Sequence, residues 1–398
     1  MKGINNKVAI VGMGCTRFGE LWDKGVSDLI VEAAYEAFED SGIEPKDIQA
    51  AWLGTVQSGL TGISLSGALK FQYIPITRVE NMCCTATEAL RAAAYAVAAG
   101  VYDLVLAVGV EKLKDTGWMG VQGANIIGES SIGIAGAKPE YSPPEMFARL
   151  AVKYFDRYHI DPQEGKRLLA KIIVKNHHNG SLNPKAHFQR EVSEEDVIKS
   201  PIVAYPLGIL DCCGVSDGAA AAILTRADMA RSFRDDPIYI KALSLSTGAY
   251  QHLKQDYDYT HVEENVRASK MAYEEAGVKN PRKEISIAEV HDCFSIHEML
   301  IYEDLGWSLR GQSKEDIEAG TFTLGGQLPV NTDGGLKSFG HPLGASGLRM
   351  MYEVYKQLQG KAGARQIKNA RIGLTHNLGG VVPGASVAAC SIVGNERK

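Results

Sequence analysis

Four short stretches hold residue types that could make or break covalent bonds. Cys83, within Asn81-Met82-Cys83-Cys84-Thr85-Ala86, stands just before an alanine-rich segment that reads as a helix beginning near Thr85. Free N–H groups and the helix dipole at such an end favour an anion, so the spacing predicts a stabilised Cys83 thiolate. A cysteine nucleophile also wants a histidine to take its proton. The plain alternative is two small cysteines packed in a tight turn. His291-Asp292-Cys293-Phe294 follows an apolar strand at 285–290. A histidine and a cysteine two apart at a strand end sit where α/β folds gather active sites, although a turn holding a buried cysteine would read the same. In Gly340-His341-Pro342-Leu343-Gly344-Ala345-Ser346-Gly347, the proline fixes the backbone after the histidine and the glycines permit close approach of a ligand. His376-Asn377-Leu378-Gly379-Gly380 ends the last core strand but one. Its glycines either turn an N–H toward a substrate oxygen or make a simple turn.

These residues need a frame. Residues 8–12 predict a buried strand, 27–41 a helix closed by Gly42, 50–56 a strand, 87–99 a buried helix and 104–110 a strand. Strands alternating with helices predict an α/β fold with a mainly parallel sheet. From 114 to about 206 that pattern breaks into glycine clusters, Pro143-Pro144 and amphipathic helices near 145–158 and 164–176. This stretch reads as an inserted cap, and the α/β pattern resumes at 218–224. The halves echo each other. Ala37-Phe38-Glu39-Asp40-Ser41-Gly42-Ile43 parallels Ala272-Tyr273-Glu274-Glu275-Ala276-Gly277-Val278. Cys83 and His341 each open a small-residue turn leading into a helix and then a strand. Two such halves would pack about a pseudo-twofold axis with Cys83 facing His341.

The 398 residues are 45% hydrophobic and 22% charged, enough for two or three domains with a large core. A net charge of -5 with no basic run gives no case for binding nucleic acid or a membrane surface. No apolar run is long enough to span a bilayer. Seven cysteines without a CxxC pair suggest free thiols in a reducing cytoplasm and no zinc ribbon in this chain. Gly12-Met13-Gly14 follows a strand, but the next glycine, Gly19, is out of place for a dinucleotide fingerprint. There is no phosphate-binding GxxxxGK[ST] loop.

Taken in order along the chain, these motifs resemble the thiolase superfamily, in its sterol-carrier-protein-type and archaeal-type branch. The nucleophile loop at 81–86, the cap segment Lys175-Asn176-His177-His178-Asn179-Gly180-Ser181-Leu182-Asn183-Pro184, Asp211-Cys212-Cys213 with Ser216-Asp217-Gly218-Ala219-Ala220, and the HDCF and GHP motifs all match, and the likeness covers nearly the whole chain. It implies an αβαβα thiolase fold of five layers: an N-terminal half at 1–113 and 207–232, a cap at 114–206 and a C-terminal half at 233–398. It implies a 3-oxoacyl-CoA as substrate, coenzyme A as co-substrate, and neither metal nor redox cofactor. Cys83 would be the nucleophile and His341 its base. The CxG cysteine common near the C-terminus of thiolases is absent, since Asn377-Leu378-Gly379 stands there, so Cys293 becomes the second acid/base. The N–H groups of Cys83 and Gly379 would form one oxyanion hole. His341 and a water held by His291 would form the other, with Asn377 orienting that water or His291. The segment 117–141 would line the acyl pocket. A homodimer or dimer of dimers is expected, with a separate small zinc-ribbon/OB-fold protein as a candidate partner. Two other readings stand beside this one: a decarboxylating ketoacyl-synthase-type enzyme, and a non-catalytic acyl-CoA-binding subunit.

Overall fold

The computed structural model describes residues 3–116, 142–249 and 257–397. The expected pocket wall at 117–141 lies outside these residues. Strand β1 (Val8–Cys15) is buried along its whole length, as a central strand covered on both faces must be. Helix α1 (Val26–Ser41) stops at Gly42, whose φ of 69° is a left-handed conformation that glycine takes at little cost. Then come β2 (Ala50–Gly54), β3 (Ile76–Val79), α2 (Thr85–Ala98) and β4 (Leu104–Glu111). Helices α3 (Pro143–Arg157) and α4 (Pro162–Ser181) both begin with proline, which needs no N–H partner there. The second half supplies β5 (Gly218–Arg226), β6 (Ile238–Thr247), α5 (Glu263–Ala276), β7 (Ile287–Glu289), α6 (Ser295–Asp304), α7 (Ser346–Leu358), β8 (Ile372–Val381) and β9 (Ala385–Gly394). Helix α5 ends at Gly277 with φ 76°, repeating the close of α1.

Among the described residues, nine strands form one sheet in the order β3-β2-β4-β5-β1-β6-β9-β8-β7. The expectation of a mainly parallel sheet fails. Only β3–β2, β2–β4 and β8–β7 run parallel. The other ladders, through β5, β1, β6 and β9, are antiparallel. Alternating helices and strands reveal crossovers, but they do not reveal which way a strand runs when it returns after a long insertion. The hairpin from β8 to β9 turns within residues 382–384, too short for anything but antiparallel pairing.

Side-chain alternation sorts the sheet into layers. On β1, Ala9 and Val11 face α1, while Val8, Ile10 and Met13 face α2 and α7. A β-bulge between Ile10 and Gly12 shifts the parity so that Ile10 and Met13 share a face. On the other half, Ile238 and Ile240 of β6 join that central core, while Ala242, Ala388 and Cys390 face α5 and α6. Five layers result, with α2 and α7 enclosed between the two halves of the sheet. The halves are hydrogen-bonded across β1 and β6 at just two residue pairs, Ala9 with Tyr239 and Ile10 with Ile238. Around the axis the packing depends on missing side chains. A Cβ on Gly347 would lie 2.2 Å from Thr87 Oγ1, and one on Gly109 would lie 2.3 Å from the Gly344 carbonyl oxygen. All seven cysteines are free. No helix among the described residues is long and apolar enough to cross a membrane.

Candidate active site

The Cys83 loop is a tight turn that runs directly into α2. Cys84 N–H donates to the Asn81 carbonyl at 3.0 Å and Thr85 N–H to that of Met82 at 3.0 Å. The Thr85 hydroxyl accepts from Asn81 N–H at 2.9 Å. Met82 takes a φ of 52°, an unusual conformation for a side chain this long, and it places Cys83 at the mouth of a cavity. Strand β8 presses on this loop from behind. A Cβ on Gly379 would sit 2.6 Å from Cys83 N, 2.8 Å from Met82 Cβ and 3.0 Å from the Asn81 oxygen. Glycine is therefore required at 379 for space.

The cavity has a volume of about 200 Å3. Cys83, His291, Cys293, His341 and Gly379 all line it, and its apolar wall includes Met146, Phe147, Phe294 and Leu378. Phe147 and Phe294 stack with ring centroids 4.5 Å apart, joining α3 to the turn before α6. One donor atom from each of Cys83, His291 and His341 lies within 4.8 Å of the other two. His291, Cys293 and His297 make a second such group. The His291 and His341 rings meet edge to face, with centroids 5.1 Å apart. The two chain halves therefore bring Cys83 and His341 face to face, as the internal repeat predicts. Asn377 is placed differently. It does not line the cavity, and its side-chain oxygen accepts from the Thr87 hydroxyl at 2.7 Å, on the seam between α2 and α7.

Hydrogen bonding sets the state of His341. The Ser346 hydroxyl lies 2.8 Å from His341 Nδ1 and 3.0 Å from the Pro342 carbonyl oxygen. A carbonyl only accepts, so the single hydroxyl proton goes to Pro342 and the oxygen accepts from His341 Nδ1–H. That leaves Nε2 of neutral His341 with a free lone pair. Burial pushes its pKa down to about 3, with Arg349 acting in the same direction. Burial first, and then neighbouring histidines, also keep His291 neutral. The Cys83 thiol is pushed up to about 12 by burial, with Glu80 and Glu111 adding to it. Desolvation and the two carboxylates outweigh the stabilisation expected from the helix end. Burial raises Cys293 as well, so it too is a protonated thiol.

The residue between His291 and Cys293 is structurally engaged as well. Asp292 is buried, and its carboxylate accepts from Leu336 N–H at 2.6 Å, Lys337 N–H at 3.1 Å and Asn176 Nδ2 at 2.7 Å. It ties the HDCF turn to the short helix Gly335–Ser338, which leads to His341, and to α4. Asn176 also donates to Glu298 at 2.7 Å, and Lys175 pairs with Glu298. The cap segment at 175–184 thus braces the HDCF turn from behind and does not line the cavity. Ser346 is likewise an anchor, and a hydroxyl five residues after a histidine, at a helix start, is a readable signal of it.

Known proteins place this arrangement in a family. A family model for the thiolase N-terminal domain matches residues 8–228, and one described as thiolase C-terminal domain-like matches 246–392. The chain is 40% identical over 386 residues to the acetyl-CoA acetyltransferase of Methanothermobacter thermautotrophicus, covering 96% of this chain and 98% of that one. It is 31% identical over 382 residues to the benzoylsuccinyl-CoA thiolase subunit BbsB of Thauera aromatica, covering 95% and 96%. A solved structure titled Ltp2-ChsH2(DUF35) aldolase superposes with a TM-score of 0.85 at 25% identity over 99% of both chains. With both domain models matched in order and an archaeal acetyltransferase aligned end to end, the chain belongs to the thiolase family.

Proposed function

We propose that the protein is a thiolase-type acyltransferase that cleaves a 3-oxoacyl-CoA, or forms one by Claisen condensation, through an acyl-Cys83 intermediate. One observation carries this reading: a cysteine, a neutral histidine with a free lone pair, and a second protonated thiol surround one apolar cavity. Because Cys83 rests as a thiol, its proton moves to His341 as its sulfur attacks the 3-oxo carbon. The N–H groups of Cys83 and Gly379 donate to the developing oxyanion. The Gly379 N–H rests against the Cys84 sulfur in the free protein and is recruited when the oxyanion forms. The bond between C2 and C3 then breaks, and the departing thioester enolate takes the Cys293 proton. His341 and a water on His291 hold the enolate oxygen. In the second half-reaction the Cys293 thiolate removes the proton of incoming CoA, and the CoA sulfur attacks the acyl-Cys83 carbonyl. Cys83 leaves and recovers its proton from His341, so no proton is gained or lost over the cycle.

The archaeal relative favours acetoacetyl-CoA as substrate, with a bulkier 3-oxoacyl-CoA such as benzoylsuccinyl-CoA as the alternative. A DUF35-type zinc-ribbon/OB-fold protein is the partner to try first, since a relative of the same shape is solved in a complex titled with one. The test is intact mass after mixing the protein with acetoacetyl-CoA. Wild type gains an acetyl group, Cys83→Ala gains none, and Cys293→Ala acylates without turning over. If Cys83 stays unmodified with several acyl-CoAs and the partner present, the chain is a binding subunit and the proposal fails.

A further inference from the structure

We infer that Cys83, His291 and His341 form a binding site for a soft divalent transition metal, zinc being the type, and that its occupation shuts the active site. The inference rests on geometry and does not require the acyltransfer reading. Three donor atoms, one sulfur and two ring nitrogens, already lie within 4.8 Å of one another. Tetrahedral zinc with bonds of about 2.0–2.3 Å wants its ligands roughly 3.5 Å apart, so side-chain adjustments of about an ångström close the site. His341 is prepared for this role. Its Nδ1–H is anchored on Ser346 at 2.8 Å, the arrangement that orients metal-bound histidines, and Nε2 keeps a lone pair. His291 is 2% exposed, and its Nδ1 has no hydrogen-bond partner among the described residues.

The neighbouring group of His291, Cys293 and His297 is the weaker site. The Asn265 amide donates to His297 Nε2 at 3.3 Å and to Asp304 at 3.0 Å, while Asn265 Oδ1 accepts from His376 Nε2 at 2.9 Å. That pattern spends the Nε2 lone pair of His297 and puts its proton on Nδ1. To ligate, His297 would have to break the Asn265 bonds. No carboxylate lies in the first group, so hard cations such as magnesium or calcium find no suitable donors.

On binding, a bond forms between Cys83 sulfur and the metal, and the thiol proton passes to solvent. Two histidine nitrogens complete three ligands, and water or the thiol of CoA takes the fourth position. Acylation of Cys83 and metal binding are then mutually exclusive.

The probe is Co2+ added to the full chain, read by thiolate-to-cobalt charge-transfer absorption. One equivalent should give the band in wild type and in Cys293→Ala, and none in Cys83→Ala or His341→Ala. Circular dichroism checks that each variant is folded. In parallel, Zn2+ at a hundred times its dissociation constant should slow alkylation of Cys83 by iodoacetamide about a hundredfold, and a chelator should reverse this. A band that survives in Cys83→Ala, a band that needs Cys293, or unslowed alkylation overturns the inference. Acylation of Cys83 without a cobalt band would defeat the metal site alone. A cobalt band without acylation would defeat the proposed reaction alone.

Discussion

Replacing Gly379 with alanine adds one methyl group where the structure has no room for it. Its Cβ would lie 2.6 Å from Cys83 N, about 0.8 Å inside ordinary contact distance, and 2.8 Å from Met82 Cβ. Neither neighbour is the free end of a flexible side chain. Both belong to a turn held by backbone hydrogen bonds and already carrying a positive φ at Met82. The loop must therefore move, and Cys83 N–H, Cys83 Sγ and the Gly379 N–H move relative to one another. Misplacing a reacting group by about 1 Å costs around a hundredfold. Losing one oxyanion donor costs about 10²–10³ in kcat, or roughly 3–4 kcal/mol. We expect Gly379→Ala to acylate at least a hundredfold more slowly, with global stability reduced by about 1–3 kcal/mol from overpacking. Stopped-flow or quenched-flow mass analysis gives the acylation rate, and a urea titration gives the stability. A variant that acylates at the wild-type rate would refute both the oxyanion assignment and the claim that this contact sets the loop.

Ser346→Ala should lower kcat by about 10- to 100-fold with KM nearly unchanged, because His341 loses the bond that aims Nε2, and Ser346→Thr should restore much of the rate. Asp292→Asn turns one acceptor into a donor among three N–H groups, so a loss of at least about 1–3 kcal/mol should appear in denaturant titrations. His341, held down to about 3, stays neutral and basic above that pH, so kcat/KM should show no acid limb near the ordinary histidine value of 6.5. His177 and His187, lowered to about 4, join His297 and His341, lowered to about 3. The stability they represent is present above about 6.5 and is lost as pH falls toward 3–4, so the melting temperature should drop across that window. The raised Asp292, Asp304, Glu264 and Glu289 act in the opposite sense but are outnumbered once the lowered His291 and His376 are added, and a melting temperature that rises between pH 6.5 and 4 would contradict this account.

What could be read beforehand was local. Gly42 and Gly277 mark helix ends because the left-handed turn favours glycine, and both positions hold. Cys83, His291, Cys293, His341 and Gly379 stand beside glycines, a proline or strand ends, which single out turns, and they share one cavity. What could not be read depended on contacts far apart in sequence. Strand direction is one case. Another is α6, which carries His297, Glu298, Glu303 and Asp304 yet is buried on every side. Its charges are answered by Lys175, Tyr154 and Asn265 from distant segments and by Arg310 just beyond its end. Arg349 is similar: fully buried on α7, it pairs with Glu289 at 2.9 Å and with Asp333, which no helical periodicity announces. The ionisation of Cys83 belongs to the same class, because the helix behind it was legible and the strand that desolvates it was not.

The seam between β1 and β6 has a consequence of its own. Cys83 comes from one half of the chain, and its partners His291, Cys293, His341 and Gly379 come from the other. Two ladder pairs between β1 and β6, a contact of bare glycine backbones, and bonds such as Thr87 to Asn377 and Gly344 N–H to Glu111 hold these halves in register. The site is thus an interlock whose key is divided between two holders. Neither half owns a fraction of the chemistry that could operate, or be inherited, without the other. A shift along that join would disconnect nucleophile from base even if the helices and strands of each half stayed folded.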